Sequence, residues 1–379
     1  MSRKKAFRMT FVTFCIAIVS WFFGLAAGKI VVDSWDLEDC WIVEIETFRQ
    51  VEEDPSEKMS EDDGWKSLRF DVLATFLTGD MEGRSGKVTV EQLEGSYLKM
   101  VPGRKYILMA DRFPDGVVQY SVSDRFRLPW VVSFIVFSVS SVCFFAGWAG
   151  VRALIGLGIS LAVLLKGFVP AVLSGFDPVF SAIVAVASVS VVTVFLVVRR
   201  PAYRPIAFLG AIGGACAAWV LGASANWLWQ ITGLGGEGAA LFASSFPGYD
   251  MRGIFLASVI IGAIGAVLDV AISVTSSMAE LVDYDPAIPM PRLWLSGISV
   301  GREILGSMIN TLILAYFGSS LIMTLLMVTS GIDLNFLFND PMVAQELIQS
   351  LAGTMGLLLT VPLTATVAVW WLSLRRSVR

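Results

Sequence analysis

The sequence contains no histidine, and charged residues make up only 16% of its 379 positions. Without an imidazole, the Ser-His and Cys-His pairs of nucleophilic enzymes are excluded, and so are histidine metal ligands. Soluble domains carry about 25% charged residues, so the low charge content argues against an ordinary soluble protein. Any chemistry must therefore depend on carboxylates, hydroxyls, amides, lysine or arginine.

Cysteine is also scarce, with four residues in the chain. Cys15, Cys143 and Cys216 lie in apolar segments and Cys40 lies in a polar one, which does not fit a disulfide framework. The sequence has no phosphate-binding glycine loop and no nucleotide motif, so we expect no cofactor. Nothing in its charge distribution indicates a nucleic-acid partner.

Long apolar runs are abundant, because 55% of the residues are hydrophobic. A helix needs about 20 apolar residues to cross a bilayer, and several runs reach that length. We therefore predict a polytopic α-helical membrane protein with about eight transmembrane helices. The predicted spans cover residues 9–32, 130–149, 152–173, 178–198, 206–229, 253–281, 299–328 and 348–372.

The basic start MSRKKAFR precedes the first run, as it would in a signal peptide. That run is long enough to cross a membrane, so we interpret residues 1–32 as a basic cytoplasmic N-terminus with a signal anchor. Arginines then recur in every second connection between the spans, whereas the other connections are mostly acidic. By the positive-inside rule, both termini are predicted to be cytoplasmic and residues 33–127 to lie outside.

Residues 33–127 form the predicted extracytoplasmic domain, with 21 acidic and 12 basic residues and a net charge of −9. Five segments have strand-like composition and are separated by glycine-bearing turns. This pattern predicts a small β-rich domain, an OB-like barrel inserted after the first helix. The strands are expected at residues 42–49, 66–78, 86–93, 105–110 and 117–127, and the acidic stretch 51–64 is expected to be a solvated loop. Residues 128–379 then form a seven-helix membrane domain.

Glycines at helical spacing indicate close helix packing within that membrane domain. Gly210 and Gly214 form a GxxxG pair, and a looser version recurs as IGAIGA around Gly262 and Gly265. Gly306 lies in the next span. We predict that all five glycines lie at helix–helix contacts.

The span at 253–281 carries a carboxylate, Asp269, in its apolar run GAVLDVAISVTSSMAE. At 100° per residue, small and polar residues lie within about 40° of Asp269 along the whole helix. These are Ser258, Gly262, Gly265, Ser273, Ser276 and Glu280. The opposite face is apolar and compatible with lipid.

The next span carries a matching half-stripe around Asn310, with Ser299, Glu303 and Gly306 on one face. A short loop joins the two spans, so we expect them to be antiparallel neighbours and expect Asp269 to contact Asn310. We assign Asp269, Ser273, Ser276, Asn310 and Thr311 to an ion pathway. Glu280, Arg302 and Glu303 would form a charged gate at its cytoplasmic end.

A charged side chain inside a membrane is energetically costly and usually belongs to a functional site. The alternative is that Asp269 has a structural role in helix packing. Oxygen ligands suit protons and hard cations, and any metal site would use Asp269 and Asn310. An intramembrane aspartyl protease needs two aspartates that share a proton, and Asp269 is the one aspartate deep in a span. We therefore expect no enzyme activity.

The chain resembles the YibE/F family of bacterial multi-pass membrane proteins. The resemblance rests on GAIGAVLDVAISVTSSMAEL (262–281), SGISVGREILGSMINTLILAYFGSSL (296–321) and VPGRKYILMADRFPDGVVQYSVSDRFR (101–127). It implies a location in the bacterial cytoplasmic membrane and leaves the activity open. It also implies that five residues occupy the family's motif positions, namely Asp269, Arg302, Glu303, Gly306 and Asn310.

Two functions fit these observations. The first is a transporter or channel for a proton, a hard cation or a small solute that follows the polar stripe. The second is a non-transporting assembly or export factor whose outer domain, residues 33–127, binds a protein partner. In either case the chain contacts the lipid bilayer, and a homo-oligomer is compatible with both.

Overall fold

A computed structural model describes residues 3–35, 37, 39–51, 67–93, 99–112, 118–236, 238–331, 336 and 339–377. The expected acidic loop at 51–64 lies outside these residues except for Val51. The chain divides into two compact units, Met1–Gly147 and Trp148–Arg379.

The first unit contains a closed five-stranded β-barrel, as the sequence predicts. Its strands are β1 (Cys40–Gln50), β2 (Ser67–Phe76), β3 (Ser85–Leu93), β4 (Arg104–Arg112) and β5 (Val118–Arg125). The strand order is β1-β2-β3-β5-β4, with β4 pairing back onto β1 and closing the sheet. All neighbours are antiparallel except β3 and β5, which pair in parallel.

Alternating inward residues of these strands fill the barrel. Tyr106 is fully buried, and its hydroxyl accepts a hydrogen bond from the backbone N–H of Val101 at 2.7 Å. The Ile42 backbone N–H instead donates to the buried hydroxyl of Thr78 at 2.9 Å. Burial raises the pKa of the Cys40 thiol, which favours an unreactive protonated form.

Two helices adjoin the barrel in sequence: α1 (Arg3–Asp33) precedes it, and α2 (Leu128–Val163) follows it and continues past the end of the first unit at Gly147. Gly24 of α1 lies directly against Ser133 and Pro129 of α2, where a side chain would collide. The rings of Trp21 and Trp130 meet edge to face with centroids 4.5 Å apart. Small residues and aromatic contacts therefore hold these two apolar helices together.

The remaining helices are α3 (Val169–Leu173), α4 (Pro178–Val197), α5 (Arg204–Trp229), α6 (Ala239–Ser245), α7 (Met251–Tyr284), α8 (Met290–Ser319), α9 (Leu321–Thr329) and α10 (Pro341–Ser377). Among the described residues, seven helical stretches are long and apolar enough to cross a membrane.

One of these stretches, Leu128–Leu173, has 46 residues and includes a π-helical turn at Leu164–Phe168. Gly147 interrupts its helical geometry with φ 56° and ψ −139°. The sequence prediction divides the same region into spans 130–149 and 152–173, and Gly147 lies close to that division. A straight helix of this length measures about 69 Å, more than twice the roughly 30 Å hydrocarbon core of a bilayer.

The core of the second unit forms around α7, which packs against α4, α5, α8 and α10. The face of α7 opposite Asp269 is completely enclosed. Ile260, Val267, Ala271, Val274 and Met278 are each at most 2% exposed. The apolar composition of this face is compatible with lipid, but in the structure neighbouring helices cover it.

Glycines allow α5 and α10 to approach closely, as predicted for Gly210 and Gly214. Gly210 lies against the side chain of Thr364, and Gly214 lies against Thr360 and Val267. Thr360 is fully buried and donates its hydroxyl to the Gly356 carbonyl at 2.8 Å, so its polarity is satisfied within α10.

We predict opposite effects of alanine at Gly214 and Gly265. A Cβ at Gly214 would overlap Thr360, whereas a Cβ at Gly265 meets no described atom within 4 Å. Gly214→Ala should destabilise the protein by about 1–3 kcal/mol through overpacking. Gly265→Ala should be neutral or stabilising, because alanine favours helix by roughly 0.5–1 kcal/mol. Thermal unfolding in detergent measures both; equal midpoints for the two variants would contradict the packing assignment.

In the barrel, Thr78→Val should weaken the start of β1. The substitution keeps the side-chain shape but leaves the Ile42 N–H unpaired in a buried position, at a cost of about 1–3 kcal/mol. Hydrogen exchange of peptides covering residues 40–50 in the full-length protein should accelerate. Thr89→Val, which removes an exposed hydroxyl bonded to Asp71, is the matched control and should leave this exchange unchanged.

Candidate functional site

The polar stripe of α7 forms an accessible strip on a helix that is otherwise enclosed. Gly262, Gly265, Asp269, Ser276 and Glu280 are all exposed, and they recur at intervals of three, four or seven residues. This spacing keeps them on one side of the helix. The strip exists because α4, α5, α8 and α10 cover the apolar side and leave this side open.

Asp269 is the centre of the strip. Its carboxylate makes no hydrogen bond or ion pair with any residue that the structure describes. Ser273, one turn away, is half-buried, and Thr275 is buried with an unpaired hydroxyl on a different side of the helix. Asp269 is therefore available to bind a proton, a cation or a water molecule.

Helix α8 packs beside α7 through its own glycines. Gly297 lies 2.6 Å from the sulfur of Met278 when measured from an ideal Cβ position, and Gly301 lies directly against Val361 of α10. With Leu293 and Leu305 these glycines form the buried side of α8. The opposite side remains accessible and carries Glu303, Gly306 and Asn310, with Arg302 beside them. Thr311 is also exposed, but it is in line with Leu293 at the edge of the buried side.

The structure places the predicted site residues on neighbouring helices without joining them directly. Among the described residues, no hydrogen bond connects Asp269 to Asn310, and Arg302 forms no ion pair with Glu280 or Glu303. The Thr311 hydroxyl donates to the Ser307 carbonyl of its own helix at 3.0 Å. The acidic, basic and amide groups are therefore accessible and unpaired within the described chain.

The predicted packing glycines behave differently from one another. Gly262 is tightly approached, because an added Cβ would lie 2.9 Å from the Tyr316 hydroxyl of α8. At Gly265 and Gly306, an added Cβ would meet no described atom within 4 Å. These two glycines therefore widen the accessible strip and mediate no contact within the described structure.

Sequence reasoning missed Tyr316 and Gln349. The Tyr316 hydroxyl and the Gln349 side-chain nitrogen of α10 both lie above Gly262, 2.9 and 3.4 Å from an ideal Cβ position there. They form a polar contact at the end of the strip, about 10 Å along α7 from Asp269 (seven residues at 1.5 Å). The sequence feature that could have indicated this contact is the presence of a tyrosine and a glutamine in two largely apolar helices.

Metal binding by a dense ligand cluster finds no support in the described part of the chain. No group of three or more histidine, cysteine or acidic side chains converges there. Asp269 and Asn310 supply oxygen atoms alone, so a bound ion would retain water or take ligands from elsewhere.

A protein-family model, described as YibE/F-like protein, matches residues 134–374. The chain belongs to the YibE/F family. The match includes both polar helices, α7 and α8, and every site residue named above. The barrel lies outside the matched range, and so does segment 101–127, which contributed to the resemblance in sequence. Comparison with curated proteins and with solved structures gives no significant match.

The strip should be reachable from water. In a variant whose four cysteines are replaced by alanine, Gly265→Cys and Asn310→Cys should react with a charged, water-soluble thiosulfonate. Ala271→Cys, at a fully buried position on the same helix, is the matched control and should react at least tenfold more slowly. Because this reagent is excluded from hydrocarbon, slow reaction at all three positions would mean that lipid or protein covers the strip.

Proposed function

We propose that this YibE/F protein is an integral membrane protein that moves a proton, a hard cation or a small solute along the accessible strip of α7 and α8. The observation that supports this most directly is the position of Asp269. It is an unpaired carboxylate in the middle of an apolar helix, on the side that neighbouring helices leave open.

Energetics favour contact between this strip and water or protein. An aspartate at the centre of a transmembrane helix costs about 2.5–3.5 kcal/mol on insertion scales, and ionisable groups in spans almost always face a bundle interior or a water-filled cavity. The hydrophobic core of the second unit lies on the other side of α7. A water-filled path therefore needs further protein around it, and we propose that a second copy of the chain completes the enclosure.

The membrane arrangement belongs to the same proposal. We place eight spans in the bacterial cytoplasmic membrane, with Leu128–Leu173 crossing twice around Gly147, both termini cytoplasmic and the barrel outside. Basic residues near helix ends support this orientation, including Arg200, which pairs with Asp283. The strand order with parallel β3 and β5 supports an OB-like barrel.

Reconstitution into liposomes tests transport. Wild-type protein should carry protons, one of Na⁺, Mg²⁺ and Ca²⁺, or a small organic cation, and Asp269→Asn should reduce that flux at least tenfold by removing the ionisable oxygen. Asp285→Asn is the matched control, because asparagine can still accept the hydrogen bond that Asp285 receives from the Ala287 N–H. Absence of wild-type flux for every one of these ions and solutes, or equal flux in Asp269→Asn, would contradict the proposal.

The accessory function remains the second candidate, and one observation favours it. The barrel has its own buried core, built from all five strands, and is outside the range of the family match. A domain with its own core can serve as a binding domain for a protein partner. Loss of cellular function on removal of residues 33–127, together with a silent Asp269→Asn, would favour this second role.

A further inference from the structure

A cavity of about 320 Å³ lies where the end of α8, helix α9 and the start of α10 meet. Its volume is at the lower end of the range of small-molecule sites, roughly 300–1,000 Å³. The walls are mainly apolar, with Ile313, Phe317, Met327 and Leu347 among the lining side chains. The space therefore suits the body of a small apolar molecule more than a hydrated ion.

Glu346 gives this cavity its charge. Of the described residues that line it, Glu346 alone carries a charged side chain at neutral pH, and it is half-buried. The surrounding sequence reinforces the sign, since residues 303–374 contain four acidic residues and no lysine, arginine or histidine. An anion would find no positive partner here, whereas a cation would find one carboxylate.

The hydroxyl groups at the cavity present acceptor atoms. Ser319 and Ser320 both donate to the Tyr316 carbonyl, at 2.7 and 3.2 Å, and Thr324 donates to the Ser320 carbonyl at 2.9 Å. Each hydroxyl proton is thus donated to a backbone carbonyl of the helices. The lone pairs of the three hydroxyl oxygens remain free to accept hydrogen bonds. A ligand group that donates several hydrogen bonds is the chemical complement of such a set.

The cavity adjoins the strip of α7 at one residue, Tyr316. Tyr316 lines the cavity, and its hydroxyl also reaches Gly262 and Gln349 at the end of the strip. Glu346 lies one turn of α10 from Gln349. A ligand in the cavity would therefore lie next to the accessible strip that leads to Asp269.

We propose that this cavity binds a small organic cation, a protonated amine carried on an apolar body, with its ammonium group at Glu346. The ammonium donates to the carboxylate and the acceptor hydroxyls, and the apolar part fills the space between α8, α9 and α10. This inference rests on the proposed transport function, for which it names the receiving site and the substrate class.

Binding of radiolabelled tryptamine to the full-length protein in lipid nanodiscs tests the site. Tryptamine joins an apolar indole to an ammonium group, and indole-3-propionate carries a carboxylate in the same place. Tryptamine should bind saturably, and indole-3-propionate should not displace it. Glu346→Gln, which keeps the shape and removes the charge, should weaken binding at least tenfold, whereas Asp285→Asn should bind as wild type does.

A second variant tests the position of the ligand independently of charge. Val343→Phe places a larger side chain into the cavity lining and should also abolish saturable binding while Glu346 is retained. Displacement by indole-3-propionate, wild-type binding in both variants, or a phospholipid retained in the cavity that tryptamine does not displace would each overturn the proposal.

The binding assay does not depend on flux, so the two proposals fail separately. Saturable, Glu346-dependent binding without any transport would retain the site and refute the transporter. Transport that requires Asp269 but is unchanged in Glu346→Gln, with no tryptamine binding, would retain the transporter and refute the site.

Discussion

The enclosure of one face of α7 is the constraint on which the second unit depends. Alanine, valine and glycine side chains on α4, α5 and α10 are small enough to surround this helix, and the residues at its contact positions are almost fully buried. Dense packing of this kind stabilises membrane helices, since lipid offers no hydrophobic driving force between them. This packing also fixes the rotation of α7 about its axis. If the helix turned, Asp269 or Ser276 would take the place of apolar side chains in the contacts with the neighbouring helices.

That rotation makes the accessible strip a consequence of the core. Once the apolar side faces α4, α5 and α10, every residue near Asp269 must face outward. The same logic applies to α8, where Gly297 and Gly301 bring the helix against Met278 and Val361 and leave Glu303 and Asn310 on the open side. The contacts of the apolar residues thus position the polar groups. The oxygen atoms of the polar groups take no part in these contacts and are free for a ligand.

The sequence predicted the barrel well, because each strand is local and is bounded by turn residues. Strand boundaries agree within about two residues, whereas the order β1-β2-β3-β5-β4 depends on contacts between strands that are distant in sequence. The polar stripe was also predictable, since it depends only on the angle between residues along a helix. The helical periodicity separates two faces of α7, but it does not say which face meets protein.

The site could be predicted less completely for the same reason. Lipid and protein interior are equally apolar, so Val267 or Ala271 would suit either environment, and their apolar pattern does not reveal that protein covers them. The Tyr316–Gln349 contact joins residues 33 positions apart in sequence, and the Glu346 cavity joins α10 to residues of α8 and α9. Such pairs depend on how α8 and α10 pack, and neither helix carries a local pattern that specifies the partner.

The distribution of charge along the two helices also gives the strip a direction. The end near Gly262 adjoins a region without basic residues, and Glu346 is the first carboxylate there. Asp269 follows about 10 Å further along α7, and Glu280 lies about 16 Å beyond it (eleven residues). Arg292 and Arg302 are the two basic side chains of α8; both are exposed, and Arg302 lies next to Glu303. On the proposed path, a cation moving from Glu346 would thus meet Asp269 and Glu280 in succession and then the arginines of α8 at the far end, where repulsion lowers its affinity and favours release.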